Sequence, residues 1–222
     1  MQTFKSYLDE GVNDPAIFKA VFLAGGPGSG KSFVVGKTAL QPMGFKLINS
    51  DPAFEAALKK AGLSMDPKDI GSEKGQQIRK QAKAITKKKM DLALDGRLGL
   101  IIDGTGKDYE KIMSQVNQLR ALGYAVTMIF VNTDLDTALA RNKQRARSLP
   151  DEMVTKMWKE TQRNIGKFQN LFRDRMIVVD NSSDANIEGG IMNAYRKISA
   201  WAKSPPDNRI AKKWIDQQRK SK

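Results

Sequence analysis

The sequence predicts an α/β fold, with about five parallel strands, helices on both faces and a basic helical tail at the C-terminus. Three observations predict it. Five short apolar runs recur along the chain, amphipathic stretches of helical length separate them, and the first run opens directly into a glycine cluster. The runs are 16–24, 45–49, 98–103, 124–132 and 175–180, the last four ending in a polar or acidic residue. Helices are expected over 31–40, 52–61, about 73–94, 109–122, 135 to about 147, 151–172 and 185–202. In such a β-α alternation ligands bind beyond the carboxyl ends of the strands, so functional residues are expected just after each run.

At 222 residues the chain is expected to hold one domain with appendages. The domain spans 1–203, including a short N-terminal helix packed through Phe4, Tyr7 and Leu8. Ser204, Pro205 and Pro206 read as a linker, and 204–222 as a basic amphipathic tail with Ile210, Ala211, Trp214 and Ile215 on one side. That tail either docks on the domain through Trp214 or meets a partner. No apolar run is long enough for a membrane span and the first residues form no signal peptide, so no membrane partner and a cytoplasmic location are expected.

Composition excludes whole classes of chemistry. There is no cysteine and no histidine, which removes disulfides, thiolate or imidazole metal sites, cysteine nucleophiles and Ser-His triads. Proton transfer near neutral pH falls to a carboxylate, a lysine, a tyrosine or water.

After the first strand the chain reads Gly25-Gly26-Pro27-Gly28-Ser29-Gly30-Lys31-Ser32, followed by Phe33. This satisfies G-x-x-x-x-G-K-[ST] between a strand and a helix. Glycines let the backbone wrap an anion, successive N–H groups point at it, and the helix N-terminus adds its dipole. The pattern implies ATP as cofactor, with Lys31 bridging the β- and γ-phosphates and the Ser32 hydroxyl on Mg²⁺. The second strand ends in Asn49-Ser50-Asp51. With no histidine available, Asp51 is the natural general base for an acceptor hydroxyl, and it also suits the N-cap of a helix starting at Pro52. Asp103, ending the third strand, either holds Mg²⁺ through water or is a plain turn aspartate, with Thr105 beside it as a substrate contact. Arg141 and Arg145, four apart on a helix, project from one face and suit a migrating phosphoryl group.

Taken in order, LAGGPGSGKS, INSDPAFE, IIDGTG and ARNKQRARSLPDEMVTKMW resemble the P-loop kinase group containing bacteriophage polynucleotide kinases and zeta-toxin sugar kinases. The resemblance covers about 18–181 and implies a P-loop kinase fold. It also implies Asp51 as the catalytic acid and Arg141 and Arg145 as lid arginines. Polynucleotide kinases usually carry an arginine three residues after that acid, where this chain has Phe54. Phe54 either stacks on a base or packs in the core. The first residues also resemble the starts of tailed-phage proteins, which would place the protein in the cytoplasm of a host bacterium.

The net charge of +14 concerns partners. Segment 73–90 carries net +6, including Lys87, Lys88 and Lys89, and 196–222 carries net +7, so the remainder is nearly neutral. A polyanion partner, DNA above all, is expected to meet these two blocks. Three functions follow. One is a kinase acting on a hydroxyl of nucleic acid, either an end or a hydroxymethylated base. A second is a nucleotide-sugar kinase, and the third a nucleotide-switched ATPase or DNA-binding regulatory module. No N-K-x-D follows a later strand, which argues against a GTPase.

Overall fold

A computed structural model describes residues 12–145 and 148–220. The N-terminal helix expected around Phe4, Tyr7 and Leu8, and the end of the helix expected to reach 147, lie outside the described residues. Five strands, β1 (Lys19–Ala24), β2 (Lys46–Ile48), β3 (Leu100–Asp103), β4 (Ala125–Asn132) and β5 (Met176–Asp180), form one parallel sheet ordered β2-β3-β1-β4-β5. β1 is buried along its whole length, because helices cover both faces of the central strands. The edge strand β5 alternates instead, leaving Val178 and Asp180 exposed.

Ten helices occur among the described residues. They are α1 (Lys31–Lys37), α2 (Asp51–Lys60), α3 (Pro67–Gly71), α4 (Glu73–Asp95), α5 (Tyr109–Ala121), α6 (Leu135–Lys143), α7 (Asp151–Arg163), α8 (Ile165–Phe172), α9 (Ile187–Lys203) and α10 (Arg209–Lys220). Side chains just outside several of them accept first-turn N–H groups: Ser72 from Gly75, Asp108 from Lys111, Asp134 from Thr137 and Asn186 from Gly189. At Asp134 this bonding holds the carboxyl down at about 2.

One core face joins Phe22, Phe130, Phe168 and Phe172 with α5, and the other joins Val21, Leu23, Ile129 and Val179 with α1 and α9. A third, smaller cluster of Phe54, Leu58, Ile70, Ile78 and Ala82 welds α2, α3 and α4 into an arm standing beside the strand ends. α10 lies on the first face: Ala211 is fully buried and Trp214 meets Phe18 edge-on, the ring centroids 5.4 Å apart. No described helix is long and apolar enough to cross a membrane.

Two helices depart from the periodicity. The stretch expected as one helix over 151–172 breaks at Asn164, whose amide Nδ2 donates to the carbonyls of Gly106 (3.0 Å) and Lys107 (2.8 Å). α6 stops at Lys143, short of the expected 147. There the buried Asn142 side chain donates to the Leu149 carbonyl (2.7 Å) and accepts the Leu149 N–H (3.1 Å), pinning the chain back on itself.

Candidate active site

The register sets the site. Leu23 of β1 pairs with Asp103 on one side and Ile129 on the other, and Ile48 pairs with Ile102, so β1, β2 and β3 discharge their next residues at one sheet edge. There Gly25 through Ser32 curl into a loop whose last glycine, Gly30, caps α1 in the left-handed region (φ 82°). The loop is hemmed in as well as bent: a Cβ on Gly28 would lie 2.3 Å from the Ala138 carbonyl oxygen of α6. The N–H groups of Gly28, Gly30, Lys31 and Ser32 find no acceptor among the described residues. Four free donors at a helix start form an anion cradle and fit the phosphates of a nucleotide.

Lys31 Nζ donates to the Gly25 carbonyl (2.6 Å). Burial lowers its pKa; Asp103 and Asp51 oppose that shift, while Arg145 adds to it. The ammonium therefore lies within the field of Asp51, Asp103 and Arg145, three of the residues that the motifs singled out. Asp103 is pushed the other way, its pKa raised chiefly by burial and also by Asp51, against the pull of Lys31 and of hydrogen bonds from Gly104 and Asn49.

Asn49 ties the two acids together. Its Nδ2 donates to Asp103 Oδ2 and its Oδ1 accepts the Asp51 N–H, both at 2.8 Å. Asp51 begins α2, with Ser50 in the cap position, and its carboxylate makes no hydrogen bond among the described residues. The expected capping role is therefore not what occupies this side chain. Asp103 Oδ1 is buried without a hydrogen-bond partner among the described residues. No three acidic, cysteine or histidine side chains gather into a metal cage among the described residues. An orphaned carboxylate oxygen in the same cleft as the exposed Ser32 fits Mg²⁺, which characteristically takes one or two protein oxygens and completes its shell with phosphates and water.

Arg141 Nη1 and Nη2 donate to the backbone oxygen (2.8 Å) and Oδ1 (3.3 Å) of Asn181, whose Nδ2 in turn donates to the Ser29 carbonyl (2.7 Å). Asn181 thus clamps α6 to the glycine loop. Because α6 ends at Lys143, Arg145 does not share a helical face with Arg141 as expected; it stands exposed in the turn beyond. Both still line one cleft of about 850 Å³ with Gly26–Ser32, Asp51, Asp103 and Thr105. The Thr105 carbonyl accepts the Gly25 N–H (3.1 Å) and the Thr161 hydroxyl (3.2 Å), fixing where the loop leaves the sheet.

Other expected site residues lie elsewhere. Phe54 is 3% exposed inside the α2–α4 cluster with the Arg79 guanidinium 5.0 Å above its ring, so it has no free face for a base and is a core residue of the arm. Gly25 sits buried behind the loop, and Phe33 points to solvent. Lys87, Lys88 and Lys89 are exposed on α4 beside Thr86 and Met90, which do line the cleft. Sequence reasoning did not single out Asn49, Asn181, Glu55 or Gln115. The strand-end rule applied to β2 and β5 points to both asparagines; nothing in the sequence points to Gln115.

Residues 21–167 match the family described as AAA domain. No curated protein matches the chain in sequence. Among solved structures, it is similar to AvrRxo1-ORF1:AvrRxo1-ORF2 with sulphate ions (TM-score 0.60, 14% identity over 82% of this chain), spanning 63% of that chain's length. It is similar to a putative kinase from Chloroflexus aurantiacus J-10-fl (TM-score 0.51, 12% identity, 82% of this chain and 96% of that one). A chain of the Pnkp1/Rnl/Hen1 RNA repair complex is a third similar structure (TM-score 0.52, 19% identity, 68% of this chain and 46% of that one). These likenesses concern the fold, a P-loop kinase type of five parallel strands.

Proposed function

The chain belongs to this AAA domain family, and from that premise we propose that it is an ATP-dependent kinase that phosphorylates a hydroxyl group carried by nucleic acid. One observation carries the reading: the Asp51 carboxylate, free of other hydrogen bonds among the described residues, shares a cleft with the anion cradle, Lys31 and Arg145. In this mechanism the cradle N–H groups and Lys31 hold the β- and γ-phosphates; Ser32 and Asp103 would hold Mg²⁺, which would supply neutralisation of phosphate charge. Asp51 takes the proton of the acceptor hydroxyl as its oxygen bonds to the γ-phosphorus, and the bond from that phosphorus to the β–γ bridging oxygen breaks, its electron pair leaving with ADP. Arg145 stabilises the charge on the moving phosphoryl oxygens.

If Arg145 acts mainly in the transition state, Arg145→Ala lowers kcat by roughly 10²-fold while ATP affinity is largely kept. Steady-state rates together with equilibrium ATP binding check this, and equal losses in both would mark a ground-state contact.

The acceptor class rests on charge. Lys87, Lys88 and Lys89 stand on the arm helix whose Thr86 and Met90 face the cleft, a position that suits guiding a phosphate backbone toward Asp51. Replacing all three by Gln should flatten the slope of log K against log[salt] for an oligonucleotide by about two to three units, with ATP binding unchanged. An unchanged slope removes the nucleic-acid role of this helix. A second reading, a nucleotide-sugar acceptor, draws on Glu55, a carboxylate lining the cleft that suits sugar hydroxyls better than phosphates. Incubation with labelled ATP and either oligonucleotides or nucleotide sugars separates the two by which acquires label.

A further inference from the structure

At the opposite end of the sheet, where β4 and β5 begin, a second cleft of about 670 Å³ opens between α5, the segment joining α8 to β5, and the turn before α10. Three guanidinium groups line it: Arg120 from the last turn of α5, and Arg173 and Arg175 from the single 3-10 turn 173–175. They come from separate parts of the chain and are held there by the fold. Arg120 Nη2 donates to the Leu171 carbonyl (3.0 Å), and the Arg175 carbonyl accepts the Thr127 hydroxyl (2.5 Å).

Like charges gathered at a partly desolvated surface repel one another unless an anion joins them. Burial lowers the pKa of Arg120, and Arg175 and Arg173 lower it further. The carboxylates at hand are Asp174 and Asp207, yet among the described residues neither forms an ion pair with any of the three arginines. Asp207 instead acts on Lys19. Arg173 also adopts φ 52°, ψ −124°, a backbone conformation that suits glycine, so the fold sets a long cation where the backbone alone favours no side chain.

We infer that this cleft is a second binding site for phosphate groups, separate from the P-loop cleft, in which Arg173 and Arg175 grip the phosphates over Arg120. Planar guanidinium forks match phosphate oxygens two at a time, which a set of lysines does not do. α10 starts at the rim, where Asp207 and Asn208 line the cleft, and Arg209, Lys212 and Lys213 are exposed along it. A phosphodiester strand or a free polyphosphate supplies the required chemistry. This inference does not rest on the kinase reading.

The test uses the full chain, wild type and Arg173→Gln/Arg175→Gln, with two probes: a labelled single-stranded oligonucleotide of about 20 nucleotides and inorganic tripolyphosphate. Lys156→Gln/Lys159→Gln on α7 removes the same charge elsewhere, both lysines being exposed. For a strand, the arginine pair should weaken oligonucleotide binding by about tenfold at low salt and flatten its salt slope by about 1.4. For a free polyphosphate, tripolyphosphate binding alone weakens. The lysine pair should change either probe far less. Loss of neither probe, or equal loss in the lysine control, overturns the site. ATP binding and turnover, measured in parallel, report whether the P-loop cleft still works, so failure here is distinguishable from failure of the kinase reading. Unchanged melting of the arginine variant confirms that its fold is retained.

Discussion

Lys31→Ala is expected to abolish phosphoryl transfer to any acceptor and to weaken ATP binding. The cradle's N–H groups orient an anion, but they carry only partial charge, and Lys31 is the one full cation the loop itself contributes. Its Nζ rests on the Gly25 carbonyl at 2.6 Å, within the field of Asp103 and Asp51, close to where a γ-phosphate would lie. Removing it leaves two carboxylates facing the incoming polyphosphate, with Arg141 and Arg145 of the cleft lining to offset them. Asp103 also loses the cation that counteracts its burial-raised pKa. Both effects act on donor binding and on charge developing in transfer, so turnover should fall by far more than tenfold. Rates with saturating acceptor, alongside equilibrium nucleotide binding, check it. Retention of more than a tenth of wild-type turnover would overturn the P-loop assignment.

What could be read from the sequence was what depends on near neighbours. The glycine loop is a local backbone pattern, and β1, β3 and β4 are apolar runs buried on both faces, so motif and periodicity were enough to place them. Asp51 and Asp103 followed from the rule that ligands gather at strand ends. The features that escaped all depend on hydrogen bonds or packing between distant residues. Asn164 breaks a strongly periodic helix because it bonds carbonyls 57 and 58 residues away. Asn142 closes the loop that ends α6, so Arg141 and Arg145 reach one cleft by different routes. Phe54 was open to two readings because a buried and a stacking phenylalanine look alike in sequence. Only the packing of α3 and α4 over α2 decides between them. Asn181 stayed unnoticed since its partners, Arg141 and Ser29, lie 40 and 152 residues away.

Asp51→Asn should lower kcat by roughly 10²- to 10⁴-fold with ATP affinity largely kept. The amide has the size of the carboxylate and keeps an oxygen acceptor, but it has no basic oxygen with which to take a proton. Substitution leaves the backbone bond from the Asp51 N–H to Asn49 Oδ1 in place, so the β2–α2 turn and the Asn49 link to Asp103 persist. Helix stability should barely change, because Ser50 occupies the cap position and the Asp51 carboxylate has no hydrogen bond among the described residues to lose. A small loss of helix-dipole interaction in the first turn is the main structural cost, about 0.3–1 kcal/mol. The readouts therefore separate cleanly. A proton acceptor predicts a large fall in kcat with an almost unchanged melting temperature, and a structural aspartate predicts the reverse. A residual rate close to that of the wild type would move the proton-accepting role to another group in the cleft, with Asp103 and Glu55 the other carboxylates that line it.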